Sequence, residues 1–477
     1  VRFHAKLESL PPLKSIAILL RFALLLALVP LSASAGEFLW LSDIHFDPLA
    51  DPLIVDRLAV AEPAQWRAIL TNGSTKFPAF GHDATWPLFS SLLQASGKAL
   101  PKPAFTMVTG DLLAHHFRER FNAEAAAHDD NSFRSFVRKS VEFVALELKE
   151  VSAGAPVLIA LGNNDSECGD YSIQPGGPFL HDTAKLVTDL SGAPDSDSYE
   201  RYGSYSVSNP AVKHERIIVL NTVLFSPRYR DLCGHGTDDP GARELAWLAG
   251  KLQEAESHHE KVWLVYHIPP GVDAYVTARA QQRSGAGSVT LLWKESYTDK
   301  FLSLLTQYAQ VVGPNFAGHI HVDDFRLLGG STKSSPFVIA GPAASPITGQ
   351  NPTFRLVQFD ARGKLEDEST YYLKNLTAAG VGAAPVWTLE YDFRTAWKLS
   401  GLNAESFAKL YGRIASSPEA AARWTLLYST SNLAGSPVTA ANSRQFYCAM
   451  GNLSQGPYET CVAAGNEIIG RQAIRLF

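Results

Sequence analysis

From Glu37 onward the chain alternates short apolar runs with longer amphipathic or polar stretches. The runs are 38–41, 105–109, 157–161, 217–221, 262–266, 316–317, 337–340 and 354–359. Most are continuous rather than alternating, which predicts strands covered on both faces. Between them, 86–95, 132–150, 243–256 and 298–308 repeat apolar residues at helical spacing and predict helices. Asp239-Pro240 ahead of 242–252 predicts an amphipathic helix started by proline. Strands and helices in this order give a layered α/β domain, with its chemistry on the loops after the strands.

A chain of 477 residues is too long for one ordinary core, so a large domain and a smaller one are expected. The stretch 377–387, TAAGVGAAPVW, is small and Gly/Pro-rich, as a boundary would be. Beyond it the pattern turns helical. Asn403 can cap a helix running towards Ala415, and Ser417-Pro418-Glu419 starts another. The expected division is a main domain over 37–376 and a smaller, mostly helical segment over 388–477, whose motifs carry no identifiable chemistry.

The first 35 residues have the succession of a removable export signal. Arg2, Lys6 and Lys14 precede an apolar stretch over 22–31, and Ala33-Ser34-Ala35 is a small-residue cleavage pattern. That stretch is short for a membrane span, so no transmembrane segment is expected in the mature form. The formal charge of -5 becomes -8 on removal, because Arg2, Lys6, Lys14 and Arg21 leave with Glu8. An acidic chain has no nucleic-acid footprint and does little long-range steering of anions, so attraction of an anionic substrate must come from local charge. Cys168, Cys233, Cys448 and Cys461 lack C-x-x-C spacing, which argues against a zinc knuckle. In an exported chain four cysteines fit two disulfides. Of the three pairings, the sequence-near Cys168–Cys233 and Cys448–Cys461 are expected, with free buried thiols as the alternative. A secreted or periplasmic location is expected in turn.

Five short motifs, each ending an apolar run, carry the candidate chemistry. They are Asp43-Ile44-His45, Gly110-Asp111, Gly162-Asn163-Asn164-Asp165, Tyr266-His267 and Gly318-His319-Ile320-His321. Each alone is common, but the five in one order supply carboxylate, imidazole and amide ligands for two neighbouring divalent ions. Asp43 and His45 lie at i and i+2, so an extended backbone would turn both to one side. Asp111 has two oxygens and can bridge two cations, with Gly110 allowing the turn that presents it. Asn163 offers a neutral carbonyl oxygen. His319 and His321 repeat the i, i+2 spacing, although a loop there would send them to different ions. An aspartate and a histidine ending a buried strand cost stability unless paired or liganded. Other histidines, such as His214, His258 and His259, sit in polar stretches and read as solvated.

These motifs resemble the calcineurin-like metallophosphoesterases, and within them the acid sphingomyelinase group with its sphingomyelinase-like phosphodiesterases. The resemblance runs from about Glu37 to Leu376. It includes Tyr205-Ser206, Leu220-Asn221, the GARELAWLAGKLQEA helix, HIPPG, GHIHVDDF and GQNPTFR as well as the ligands. It implies a four-layer α/β/β/α sandwich, two facing mixed sheets flanked by helices, with the helical C-terminal segment beside it. It also implies two metal ions, in this group usually zinc. Asp43, His45, Asp111 and His321 would hold one ion, and Asp111, Asn163, His267 and His319 the other, with Asp111 bridging.

The implied activity is hydrolysis of phosphodiesters by an exported enzyme, with sphingomyelin or another phosphocholine ester and nucleotides as candidate substrates. The partner is then a phosphoester, in one case a lipid at a membrane surface. The chain departs from the family where GNH is usual, because Asn164 comes directly after Asn163. An amide donates no titrating proton but can hydrogen-bond a phosphate oxygen. His115, in GDLLAH, matches a second histidine that the group presents to the leaving group, and is expected to be the general acid, with His116 its nearest competitor. Endopolyphosphatases look similar in carrying Asn at this place. Two other readings therefore stay open: a phosphatase or endopolyphosphatase, and a metal- or lipid-binding relative without turnover.

Overall fold

Every apolar run of the sequence is a strand of one of two six-stranded sheets. The computed structural model describes residues 1–2, 36–127, 129–194, 196–236, 238–284 and 288–465. Apart from Val1 and Arg2, the expected export signal lies outside the described residues. The strands are β1 (Gly36–Leu41), β2 (Thr106–Val108), β3 (Val157–Ile159), β4 (Tyr205–Ser208), β5 (Glu215–Val219) and β6 (Lys261–Val265). They continue with β7 (Val312–Ala317), β8 (Asp324–Leu327), β9 (Phe337–Ala340), β10 (Thr353–Phe359), β11 (Leu365–Leu373) and β12 (Trp387–Asp392).

The first sheet has the order β12-β11-β10-β1-β2-β3, and the second β4-β5-β6-β7-β9-β8. β1, β2 and β3 run parallel, as do β5, β6, β7 and β9, while the outer strands are antiparallel. The sheets face each other across an aromatic layer. Phe38 of β1 lies 5.8 Å from Trp263 of β6 and 5.7 Å from Phe316 of β7, and Trp40 lies 5.3 Å from Phe316.

Helices cover the outer faces. Asp130–Val151, capped by Asp129 accepting from Asn131 and Ser132 N–H, sets Phe143 against Phe46 and Trp86. Pro240–Ser257 starts at its proline, with Asp239 accepting from Ala242 N–H, and buries Leu245, Leu248 and Leu252. This is the four-layer sandwich expected. Both expected disulfides, Cys168–Cys233 and Cys448–Cys461, are formed.

β4, β8, β11 and β12 are not apolar runs. β11, LEDESTYYL, buries Glu368 because Arg355 of the neighbouring β10 pairs with it at 3.4 Å. A charged strand of that kind is visible only with its partner in hand. β12 lies beyond the Gly/Pro-rich stretch, yet it pairs with β11 and forms the edge of the first sheet. After it the chain is helical: Ala404–Ser416, Pro418–Tyr428, Ser443–Gly451 and Gln455–Ala463. Phe407 packs on Phe325 of β8 and Phe337 of β9, so these helices cover the edge of the second sheet. They also reach the carboxyl ends of the parallel strands, where the five motifs emerge.

Candidate active site

Parallel strands deliver the loops at their carboxyl ends to one edge of the sheet. Asp43 and His45 come two and four residues after β1, Asp111 three after β2, and Asn163 four after β3. His267 comes two residues after β6, and His319 and His321 two and four after β7. All seven meet in one buried cluster. Asp43, His45, Asp111 and His321 form one group of close ligand atoms, and Asp111, His267 and His319 a second. Asp111 belongs to both.

Asp43 and His45 do not converge by strand alternation, as their spacing suggested. Both lie past the end of β1, in left-handed backbone at φ 50° and 45°, not on an extended strand. Asp111, His319 and His321 are left-handed too, at φ 54°, 71° and 62°. Such conformations cost about 1–2 kcal/mol per non-glycine residue and gather where function fixes them. Gly110, at φ 93°, has no alternative: a Cβ there would come 2.7 Å from His267 Nδ1.

Hydrogen bonds to the main chain set the imidazole tautomers. His45 Nδ1–H donates to Leu113 C=O at 3.1 Å and His267 Nδ1–H to Thr109 C=O at 2.7 Å. Each ring therefore turns Nε2 inward, where Asp111 Oδ2 lies 3.5 Å from His45 and 3.3 Å from His267. His267 Nε2 also faces Asn163 Oδ1 at 3.1 Å. A lone pair facing an oxygen acceptor is repulsive unless a cation or proton lies between them. The donor set and its orientation thus fit two divalent ions sharing Asp111.

The electrostatics agree. Burial holds His45 down at about 4 and His319 at about 3, which keeps both rings neutral, as a metal ligand must be. Burial opposes ionisation of Asp111, but His267 and His45 outweigh it and hold its carboxyl well below the usual range. Burial opposes the charged form of His267 as well, and Asp111 pushes it the other way, to about 9. In the metal-free chain a proton takes the place of a cation there.

His115 stacks on His45 with ring centroids 4.2 Å apart. Asp83 accepts from both its ring and its main chain, Nδ1 to Oδ1 at 2.8 Å and N to Oδ2 at 3.0 Å. Burial works against the imidazolium, Asp83 outweighs it, and the pKa lies above the ordinary histidine value. Nε2 is left for the cleft. His116 is exposed at the start of the helix Phe117–Glu124. Asn164 Nδ2 donates one N–H to Asp111 Oδ2 at 3.0 Å, and its main-chain N–H donates to Oδ1 at 2.9 Å.

Four supporting residues were missed in the sequence. Asp83 sits in a loop with no strand before it. Asp170 accepts from Asn163 Nδ2 at 2.8 Å, and the Tyr171 hydroxyl lies 3.0 Å from His319 Nε2. Asp165, in plain sight after Asn164, accepts from the N–H groups of Leu112, Leu113 and Gly162 at 2.7, 3.1 and 2.8 Å. It ties the loop of Asp111 to that of Asn163. Asp165→Ala would leave three buried N–H groups unpaired, at about 1–3 kcal/mol each. A loss of at least about 3 kcal/mol is expected in urea unfolding; an unchanged midpoint would mean that those groups find other partners.

A cavity of about 140 Å³ adjoins His319 and His321. Asp273, Ala274 and Tyr275 line it on one side. Tyr428, Pro437 and Phe446 line it as well, so the C-terminal segment does reach the site.

Residues 36–323 match the family model described as Calcineurin-like phosphoesterase, a segment that contains every candidate site residue. Among relatives, "Acid sphingomyelinase-like phosphodiesterase 3b" of Mus musculus is 28% identical over 448 residues, 90% of this chain and 90% of its own. "Cyclic GMP-AMP phosphodiesterase SMPDL3A" of Homo sapiens is 26% identical over 391 residues, 79% of this chain and 78% of its own. "Sphingomyelin phosphodiesterase" of Homo sapiens is 27% identical over 394 residues, 76% of this chain and 55% of its own. The group suspected from the motifs is the group that these relatives represent.

Proposed function

The chain belongs to the calcineurin-like phosphoesterase family and is a metal-dependent phosphodiesterase; from that premise we propose an exported enzyme that hydrolyses compact phosphodiesters at two zinc ions. The observation that carries this reading is Asp111 Oδ2, set between the inward Nε2 atoms of His45 and His267 at 3.5 and 3.3 Å. Asp43, His45, Asp111 and His321 would hold one ion, and Asp111, Asn163, His267 and His319 the other. Bound there, two divalent cations supply Lewis-acid stabilisation of phosphoryl oxygens and acidify water.

The chain's own residues do the rest. Asn164 holds Asp111 through both carboxylate oxygens, so the amide is a positioning group. Asp83 fixes the His115 ring and leaves Nε2 to give a proton to the departing oxygen. The cavity supports a compact substrate arm. At about 140 Å³ it is close in size to a cavity of about 150 Å³ that holds one benzene ring. A choline or nucleobase group fits that scale, while a ribose or the chains of a lipid would have to lie outside, the latter at a membrane surface. Export is supported by two disulfides, and no helix among the described residues is long and apolar enough to cross a membrane. Secreted protein should begin at or near Gly36.

The test is a panel on purified protein: bis-p-nitrophenyl phosphate, p-nitrophenyl phosphate, sphingomyelin, ATP and polyphosphate. Faster hydrolysis of the diester than of the monoester is expected. Turnover of the monoester or polyphosphate alone would favour a phosphatase, a reading that Asn164 keeps in view.

A further inference from the structure

The two sets of ligands are held differently. Asp43, His45 and His321 sit deep among the strand ends, and His45 is backed by a main-chain carbonyl. Asn163 and His319 are backed by side chains of a single short segment, residues 168–172. Asp170 takes the Asn163 amide nitrogen at 2.8 Å, which fixes the amide so that Oδ1, not Nδ2, faces His267 Nε2. The Tyr171 hydroxyl pairs with His319 Nε2 at 3.0 Å, which leaves Nδ1 facing His267 Nε2 at 3.3 Å.

That segment is itself tied down. Tyr171 N–H donates to Asn163 C=O at 3.0 Å, and Arg230 N–H donates to Tyr171 C=O at 3.1 Å. The Arg228 guanidinium lies 3.8 Å over the Tyr171 ring and 3.1 Å from Asp170 Oδ2, and so holds both supporting side chains at once. Cys168–Cys233 staples the start of the segment to the stretch that carries Arg228. Tyr171 is buried at φ 54°, a conformation an L residue adopts only when its surroundings impose it.

We propose that Asp170 and Tyr171, on this disulfide-stapled segment, are positioning residues that orient Asn163 and His319 and thereby set the affinity of the second ion independently of the first. The proposal rests on the two-ion reading of the site. Without Asp170 the Asn163 amide is free to turn its NH2 towards a cation. Without the Tyr171 hydroxyl the His319 ring loses the partner that fixes its tautomer. Loss of such a partner typically weakens a metal site by roughly 10–100-fold.

The test is equilibrium dialysis of the full chain against buffered Zn2+, with elemental analysis, for wild type, Tyr171→Phe, Asp170→Ala and the double variant Cys168→Ser/Cys233→Ser. Tyr171→Phe keeps the ring under Arg228 and removes only the hydroxyl. Asp170 is half exposed, so its removal is mild for folding. Each variant should retain one ion at wild-type affinity and bind the other roughly 10–100-fold more weakly. The double variant, with both supporting side chains intact, should show the same one-site loss, because their segment is no longer held. Two ions bound at wild-type affinity in both single variants would overturn the proposal, as would parallel weakening of both ions. Fewer than two ions on the wild type would instead overturn the two-ion reading.

Discussion

Asp111→Asn should empty both metal positions at once and reduce turnover of bis-p-nitrophenyl phosphate below detection. The substitution keeps the size of the side chain and removes its charge. Asp111 Oδ2 is the atom that approaches both inward imidazole nitrogens, at 3.5 and 3.3 Å, and Asp111 alone among the described residues belongs to both groups of ligand atoms. Loss of an outer partner of a ligand costs roughly 10–100-fold in affinity. Loss of a shared ligand should cost each ion more than that. His267→Ala provides the contrast, because it should weaken one ion and spare the other. Elemental analysis of the two variants, with circular dichroism to establish folding, checks the pair. Retention of one tightly held ion in Asp111→Asn would show that the carboxylate does not bridge.

His115→Ala should leave the metals in place and slow the reaction in a way that depends on the leaving group. A positioned general acid is worth roughly 10²–10⁴-fold in rate. The ring is held for that role by one hydrogen bond to Asp83, which also accepts from the His115 main chain, and by stacking on His45. With an alkoxide-like leaving group the loss should reach that range. With p-nitrophenolate, which departs without protonation, the loss should be far smaller. Asp83→Asn should show the same pattern more weakly, because the ring keeps its place but loses its carboxylate. Equal losses on both leaving-group classes would assign His115 to substrate positioning. Restoring the usual residue through Asn164→His carries a risk that the geometry makes plain. The main-chain N–H bond to Asp111 survives the substitution, but the imidazole would have to replace the one from Asn164 Nδ2.

The sandwich and its ligands were legible because buried strands read as continuous apolar runs, and a carboxylate, imidazole or amide ending such a run stands out. The five motifs needed no knowledge of tertiary structure. What lay beyond them did. Asp83 orients the His115 ring only because a loop without a strand brings it there, 32 positions along the chain. Asp170 and Tyr171 act from a segment whose conformation, with Tyr171 at φ 54°, no periodicity announces. β11 was hidden by the charge of Glu368, which only its pairing with Arg355 explains. The C-terminal helices have ordinary amphipathic patterns, and the placing of Tyr428 and Phe446 beside His319 and His321 is a matter of how they dock. The candidate ligands Asp43 and His45 also come together by another route than the one their spacing suggests. They converge through two left-handed residues, not through the alternation of a strand.

Anomalous diffraction from crystals of the metal-loaded protein would show whether Asp111 joins two metal positions. Data collected at the absorption edge of the bound element should show two peaks in the cluster, one on either side of the Asp111 carboxylate. The first should lie among Asp43, His45 and His321, and the second among Asn163, His267 and His319. A single peak in fully active protein, or two peaks of which only one touches Asp111, would contradict the account.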